Sequence, residues 1–546
     1  MNKKLFWLGS LAVGAAFTFN SCGEDYLQTY PESEMSSELA KTKIEYCNSL
    51  VNGVLKTMST QMFSRQGENG EGTTKTWHNN YCSGFIQRCN LTGWSGTIAG
   101  KGHVQTNNAY GTARWTYYYK MIINANNAID AIEQFDSNNK EHLKQKEYYL
   151  AQCYTLRAYA YMQLTQLFCK RWPDSRNGES RGVVLRLKTM TEELPCSSLR
   201  ETFDQIYADL DLALEKFAAS GCDRTKVWQV NADVAHAIYS RAAIYREDWQ
   251  TSADHAKLAR ANYPLMGSEN YFKGFCEENE EWIWSLYSAA DETLYYYGYF
   301  AYEAANGSPG TCRNNPSAID KIFYDKIPDT DVRKKLYAAP TDEEFNEKDS
   351  KGNYYISRTN GLATSGSFYK RVWDEYGDKL YNDGTSISRV FMYMQFKVLC
   401  QSNPGIGQLN LARAAEMYYN EAESLCKLGR DAEARELLIE AVKPYDANYT
   451  CNLSGTELFE EIKKYRIFDL LLEGYTYFDE KRWNQNRVRV AIDKGGSWHK
   501  TFSGDDGPET YNGWTWCIPQ METDYNQFID KNIEPDNWSK DDKSTW

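Results

Sequence analysis

The run LARAAEMYYNEAESLCKLGRDAEARELLIEAV, from Leu411 to Val442, reads as a helical hairpin. One helix runs from Leu411 to Lys427, the chain turns on Leu428-Gly429-Arg430-Asp431, and a second helix continues from Ala432 to Val442. Gly429 in the turn and the small Ala434 beyond it fit the turn and packing positions of a tetratricopeptide-type unit. A second hairpin of this kind spans Asn231–Tyr245 and Trp249–Ala261, where Ala235, Ala242, Ala253 and Ala256 let the two helices approach closely. About 180 residues separate the two hairpins, so the pattern is an interrupted array and not a continuous solenoid.

Working outward, apolar residues recur every three or four positions in four more stretches. These are Thr42–Met58 (Ile44, Cys47, Val51, Leu55), Trp115–Phe135 (Trp115, Tyr118, Ile122, Ala125, Ile129, Ile132), Glu147–Phe168 (Leu150, Tyr154, Ala158, Tyr161, Leu164, Phe168) and Thr202–Phe217 (Phe203, Ile206, Leu210, Leu214). Residues 456–483 predict one more helix pair. Residues 265–405 are mostly irregular, with strand-like pieces at Glu281–Tyr287 and Phe391–Val398. Residues 64–112 lose all periodicity, yet among Gly, Asn and Thr they carry Trp77, Tyr81, Phe85, Trp94 and Tyr110. Disordered segments are poor in aromatic residues, so this stretch reads as an ordered binding loop. The fold class is mostly α: tetratricopeptide-like helical hairpins form a scaffold that carries long irregular loops and a few short strands. Residues 40–546 form one domain, helical over 40–262 and loop-rich over 263–546, where the C-terminal helix pairs lie.

The N-terminus has Lys3 and Lys4, an apolar run from Leu5 to Phe19, then Ser21 and Cys22. About fifteen apolar residues rising 1.5 Å each fall short of roughly 30 Å of hydrocarbon. Residues 1–21 therefore read as a signal peptide removed before Cys22, whose thiol takes a lipid, and residues 22–39 as a tether. Removal of Lys3 and Lys4 takes the formal charge from −13 to −15. So acidic a chain repels nucleic acid and anionic headgroups, which leaves the lipid as the membrane contact.

Of the 14 cysteines, an odd number remains once Cys22 carries lipid, and none forms a C-x-x-C pair; they read as buried free thiols. The 6 histidines (His78, His103, His142, His236, His255, His499) are scattered, and no metal or cofactor is expected. The 41 Tyr and 16 Trp stand out, because so many amphipathic rings must reach the surface or line grooves.

The segment DLLLEGYTYFDEKRW, Asp469 to Trp483, resembles the Glu-Leu-x-x-Glu-Gly-x-Arg-x-x-Asp-Leu-x-Arg-Trp segment of the RagB/SusD family. In the expected order along the chain stand Leu27 and Pro31, Leu156-Arg157-Ala158-Tyr159, Ile206 to Ala213, Glu421-Ala422-Glu423 and Ile518-Pro519-Gln520-Met521-Glu522 with Asn526. Tyr465, Asp469, Thr476 and Glu480 depart from the family pattern at packing and ion-pair positions. Gly23-Glu24-Asp25 resembles the surface-export signal of Bacteroidetes lipoproteins. The resemblance implies an outer-membrane, surface-exposed lipoprotein that binds oligosaccharide and closes over a SusC-like, TonB-dependent transporter.

Flat rings cover the C–H faces of sugars, and Asn, Arg and Asp satisfy their hydroxyls. The candidate glycan contacts are Trp77, Tyr81, Arg88, Trp94 and Asn107, with Tyr295, Tyr296 and Trp373 from the later segment. Two or three stacked rings, after the cost of lost rigid-body freedom, give a dissociation constant of about 0.1–1 mM. The alternatives are a glycoside hydrolase, which needs two carboxylates across a cleft, and a tetratricopeptide-type adaptor for a protein partner. Glu421, Glu423, Glu473 and Asp479 are the best-placed acids for a hydrolase, and their helical positions read as packing and ion-pair sites.

Overall fold

Ile44, Cys47, Val51 and Val54 turn one buried face of helix α1, Ile44–Thr57, toward the core. The computed structural model describes residues 37–59, 70–88, 107, 109–189, 192–286, 298–307, 315–380, 389–402, 405–485, 487–506 and 515–529. Residues 70–88 correct the reading of 64–112 as loop: helix α2, Gly70–Trp77, is followed by a 3-10 turn at Asn80–Cys82 and strand β1, Ile86–Arg88. Every residue of α2 is buried. A helix covered on all sides has no polar face to set a period, which is why the sequence hides it.

Helices α3 (Ala109–Glu133), α4 (Lys140–Phe168) and α5 (Leu199–Ser220) pack in succession. A reciprocal capping box between Ser198 and Glu201 starts α5, and Gly221 at φ 62° stops it, a backbone angle that favours glycine. Arg157 on α4 and Asp209 on α5 form a buried bidentate pair at 2.6 and 2.8 Å.

The hairpin read at Asn231–Ala261 is α6 (Ala232–Tyr245) and α7 (Trp249–Arg260). Its alanines are buried, and the hydroxyls of Ser240 and Ser252 come to 3.4 Å across the interface. Next along the chain are β2 (Trp282–Ser285), α8 (Tyr299–Glu303), β3 (Ser317–Ile319), β4 (Tyr337–Ala338), β5 (Leu362–Ala363), α9 (Gly366–Tyr376), β6 (Val390–Phe391) and β7 (Met394–Gln395). The strand expected over 391–398 is thus broken, because Tyr393 takes φ 63° between β6 and β7. Strands β1-β3-β7-β4 form an antiparallel sheet in that order, with Arg88 opposite Ser317 and Ala318 opposite Met394.

The helix read from Leu411 begins at Ala414. Residues Asn410–Arg413 are β8, antiparallel to β2, and α10 (Ala414–Lys427), α11 (Asp431–Val442), α12 (Gly455–Leu470) and α13 (Thr476–Arg482) follow. Gly429, at φ 77°, makes the α10–α11 turn. The two hairpins, distant in sequence, pack against each other through α7 and α10. Asn420 donates to Ser240 Oγ at 3.1 Å, and Arg241 clamps Glu416 with two bonds of 2.7 Å.

One buried charge network ties this frame together. Arg413 reaches Glu281 at 2.8 Å, Asp469 at 2.7 Å and Glu473 at 2.8 Å; Lys397 reaches Glu473 at 2.6 Å. Burial disfavours ionised Asp469 and Glu473, but Arg413 outweighs it, helped by Arg333 and Lys397 at Asp469 and by Lys397 at Glu473, and holds both carboxyls below the usual range. Charges this deep persist only because each has several partners. The segment Asp469–Trp483 is therefore the electrostatic knot of the fold. Glu480, a departure from the family pattern, accepts the Gly84 amide at 2.8 Å and fixes the turn before β1. All eleven cysteines among the described residues are free thiols, nine of them buried.

Candidate functional site

Trp77, Tyr81 and Arg88 come together, but inside the protein. Trp77 ends α2 at 3% exposure, with its ring 5.4 Å from that of Tyr110 and 6.1 Å from that of Tyr302. The Arg88 guanidinium lies 4.6 Å above the Tyr81 ring. Arg88 Nη1 donates to Tyr302 O at 3.0 Å and to Ser317 Oγ at 2.8 Å, and it lies 3.5 Å from Glu303 Oε2. Ser317 Oγ donates in turn to Glu303 at 2.6 Å. Burial pushes the Glu303 carboxyl above its usual range, and Arg88 works against that shift. All three side chains are buried, which differs from the exposed loop position expected for them.

Three segments outside the described residues adjoin this buried platform in sequence, one carrying Trp94 and one carrying Tyr287, Tyr295, Tyr296 and Tyr297. Residues 89–106 leave at Arg88; residues 287–297 return at Gly298, one residue before α8; residues 308–314 leave after Gly307 and return at Asn315, before β3. Arg88 is paired with Ser317, two residues after Asn315, and bonded to Tyr302, four residues after Gly298. A Cβ on Gly405 would stand 2.6 Å from the Ala301 backbone nitrogen in α8, so only glycine permits this approach. Tyr299 donates its hydroxyl to Leu472 O at 2.8 Å, anchoring α8 to the knot.

Of the other candidates, Asn107 is exposed, and Trp94, Tyr295 and Tyr296 lie outside the described residues. Trp373 is half-buried on α9, with the Tyr369 ring 6.1 Å away. Its helix leads to residues 381–388, and the Tyr376 ring stacks at 4.1 Å on Phe396, just beyond β7.

Sequence reasoning did not single out a second aromatic recess. A cavity of about 130 Å³ lies among Trp172, Glu247, Trp249, Lys427, Phe459 and Trp483. Cations lie on three of its rings: Arg482 4.6 Å over Trp483, Lys427 3.5 Å over Phe459 and Arg246 5.1 Å over Trp172. Such cation–π contacts occupy the faces that a sugar would need. Glu423 in its wall accepts from Arg482 at 2.7 Å and from Trp483 Nε1 at 3.0 Å. The platform is thus the better candidate.

Residues 249–545 match the family model described as the SusD family, and residues 25–244 match one described as starch-binding, associating with the outer membrane. No curated protein matches the sequence. Among solved structures, a SusD-like carbohydrate binding protein from Bacteroides vulgatus superposes with a TM-score of 0.71 at 19% identity, covering 90% of this chain and 98% of its own. A SusD superfamily protein from Bacteroides thetaiotaomicron gives 0.69 at 18%, covering 90% and 100%. One from Bacteroides fragilis gives 0.64 at 19%, covering 89% and 99%. At these identities the likeness is one of fold.

Proposed function

This chain belongs to the RagB/SusD family, and on that premise we propose that it is a cell-surface, glycan-binding lipoprotein that captures oligosaccharide and passes it to a SusC-like, TonB-dependent outer-membrane transporter. The observation that supports the reading is that Arg88 binds Ser317 and Tyr302, frame residues close in sequence to the segments that carry Trp94, Tyr295 and Tyr296. Trp94, Tyr295, Tyr296, Asn107 and Trp373 are the proposed sugar contacts. Trp77, Tyr81 and Arg88 hold the platform beneath them.

The lipid on Cys22 and the tether to residue 39 keep the acidic body at the outer membrane while leaving it free to hinge over the transporter. No helix among the described residues is long and apolar enough to cross a membrane. Capture is favoured over cleavage because the acids best placed for a hydrolase are consumed in ion pairs: Glu421 with Arg260, Glu423 with Arg482, Glu473 with Arg413 and Lys397, and Asp479 with Arg466. An acid held in an ion pair is a poor proton donor, and a hydrolase needs such a donor beside its second carboxylate.

The test is a panel of starch-like, mucin-type and plant or fungal oligosaccharides, with binding and new reducing ends measured together. Binding without new reducing ends supports capture; release of shortened sugars would overturn it.

A further inference from the structure

His236 on α6 and His255 on α7 meet across the helical hairpin with their Nδ1 atoms 2.9 Å apart. One ring must donate and the other accept, so two imidazole nitrogens share a single proton between two packed helices. The Tyr239 ring stacks on His255 at 3.9 Å and 27°, and its hydroxyl donates to Asp211 on α5 at 3.0 Å, which fixes the plane of that imidazole. No hydrogen bond holds either Nε2 among the described residues, and both side chains are only partly buried.

We propose that this pair is a two-histidine site for a borderline divalent cation such as Zn²⁺, Ni²⁺ or Cu²⁺, bridging α6 and α7. Two imidazole nitrogens bound at about 2.0–2.1 Å to a tetrahedral ion stand roughly 3.3 Å apart. To admit the ion the rings separate by about 0.4 Å and swing so that both lone pairs converge on a point beside the line between them. The ring that carries hydrogen on Nδ1 moves that proton to its free Nε2 through solvent, so both rings stay neutral and both Nδ1 lone pairs face the metal. Water completes the coordination from the open side.

The surrounding charges favour a cation. Burial lowers the pKa of both rings, that of His236 to about 4, which keeps them neutral ligands at neutral pH. Asp233 on α6 acts on His236, and Asp254 on α7 and Asp248, which caps α7, act on His255; all three add negative potential. Asp211 on α5 holds the Tyr239 hydroxyl and so the ring that stacks on His255. Imidazole pairs suit these ions better than Mg²⁺ or Ca²⁺. Bound metal would cross-link the hairpin that packs on α10 and stiffen the helical frame, independently of the glycan site.

The experiment titrates the full mature chain with ZnSO₄ by calorimetry and follows thermal unfolding. Expected are one-to-one binding, a Tm rise of about 2 °C at saturation that EDTA reverses, and loss of both in His236→Gln and His255→Gln, with His142→Gln unchanged. Because either variant could disturb the hairpin, Cu²⁺ electron paramagnetic resonance on the unmodified protein provides a second readout, with hyperfine structure from two imidazole nitrogens expected. Absence of binding, binding that survives in both variants, or a copper spectrum without two nitrogens would each overturn the proposal.

Discussion

Arg88 Nη1 and Glu303 Oε2 lie 3.5 Å apart, with both side chains buried, and join the last residue of β1 to the last residue of α8. The pair holds together the chain ends from which the proposed binding segments leave. Replacing Arg88 by Met strands a buried carboxylate, and about 3–5 kcal/mol of stability should be lost. Glu303→Gln, which keeps an acceptor for Ser317, should cost less. Denaturant midpoints measure both; an Arg88→Met midpoint equal to the unmodified protein's would contradict the role given to this pair.

Trp373 tests the surface itself. Its ring is half-buried and packs on Tyr369, so Trp373→Ala should weaken binding of the glycan picked out by the panel about five-fold, near 1 kcal/mol, through loss of one stacked ring. Calorimetric titration reads the affinity and a thermal melt checks that the fold is intact. An unchanged affinity would remove Trp373 from the site.

The charge knot should be far more sensitive than any surface pair. Arg413→Met leaves Glu281, Asp469 and Glu473 short of their shared cation, and a loss of more than about 4 kcal/mol is expected, enough to prevent soluble expression. Glu38 lies 2.6 Å from Lys41 at the surface, and Lys41→Ala should change stability by less than about 0.5 kcal/mol. Comparable effects of the two substitutions would mean that the buried network does not organise the fold.

Asp320 supplies a pH dependence. Burial raises its carboxyl to about 6 although it accepts from Phe323 N at 3.0 Å and Trp498 Nε1 at 2.9 Å. In the unfolded chain the group titrates near 3.8. Between these values the folded state holds the proton that the unfolded state has released, so stability falls as pH rises through that window, by roughly 3 kcal/mol for this group. Asp320→Asn removes the titration, and its stability relative to the unmodified protein should climb from pH 4 to pH 7. Urea midpoints that move in parallel for the two proteins over that range would contradict the assignment.

Helix α1 was legible because it buries one face: Ile44, Cys47, Val51 and Leu55 repeat on one stripe, and all are buried. Glu421, Glu423, Glu473 and Asp479 are ion-paired, but with cations that the tertiary fold brings from other elements, and Glu473 lies between α12 and α13 and not in a helix. Helix α2 left no signal because Glu71, Lys75 and Trp77 are all buried and no polar stripe remains. Strand β8 merged into the helix that follows it, since Leu411, Ala412 and Arg413 continue the apolar spacing of α10, and only pairing with β2 makes them extended.

The site was legible as a region and not residue by residue. An aromatic ring with a polar edge suits a sugar face and a protein interior equally well. Composition alone could not send Trp77 and Tyr81 inward and leave Trp373 half-covered. The neighbours that decide the matter, such as Arg88 above Tyr81, come from the tertiary fold. His236 and His255 show the same limit: nineteen positions apart, they meet only because the hairpin folds back.

The central claim is that sugar is captured over the platform by the segments that leave it. The most direct measurement is the affinity of the selected glycan for Trp94→Ala and for Tyr295→Ala with Tyr296→Ala, beside the unmodified protein. The account predicts at least a ten-fold loss in one of these with an unchanged melting temperature. Full affinity in both, with the fold intact, would contradict it.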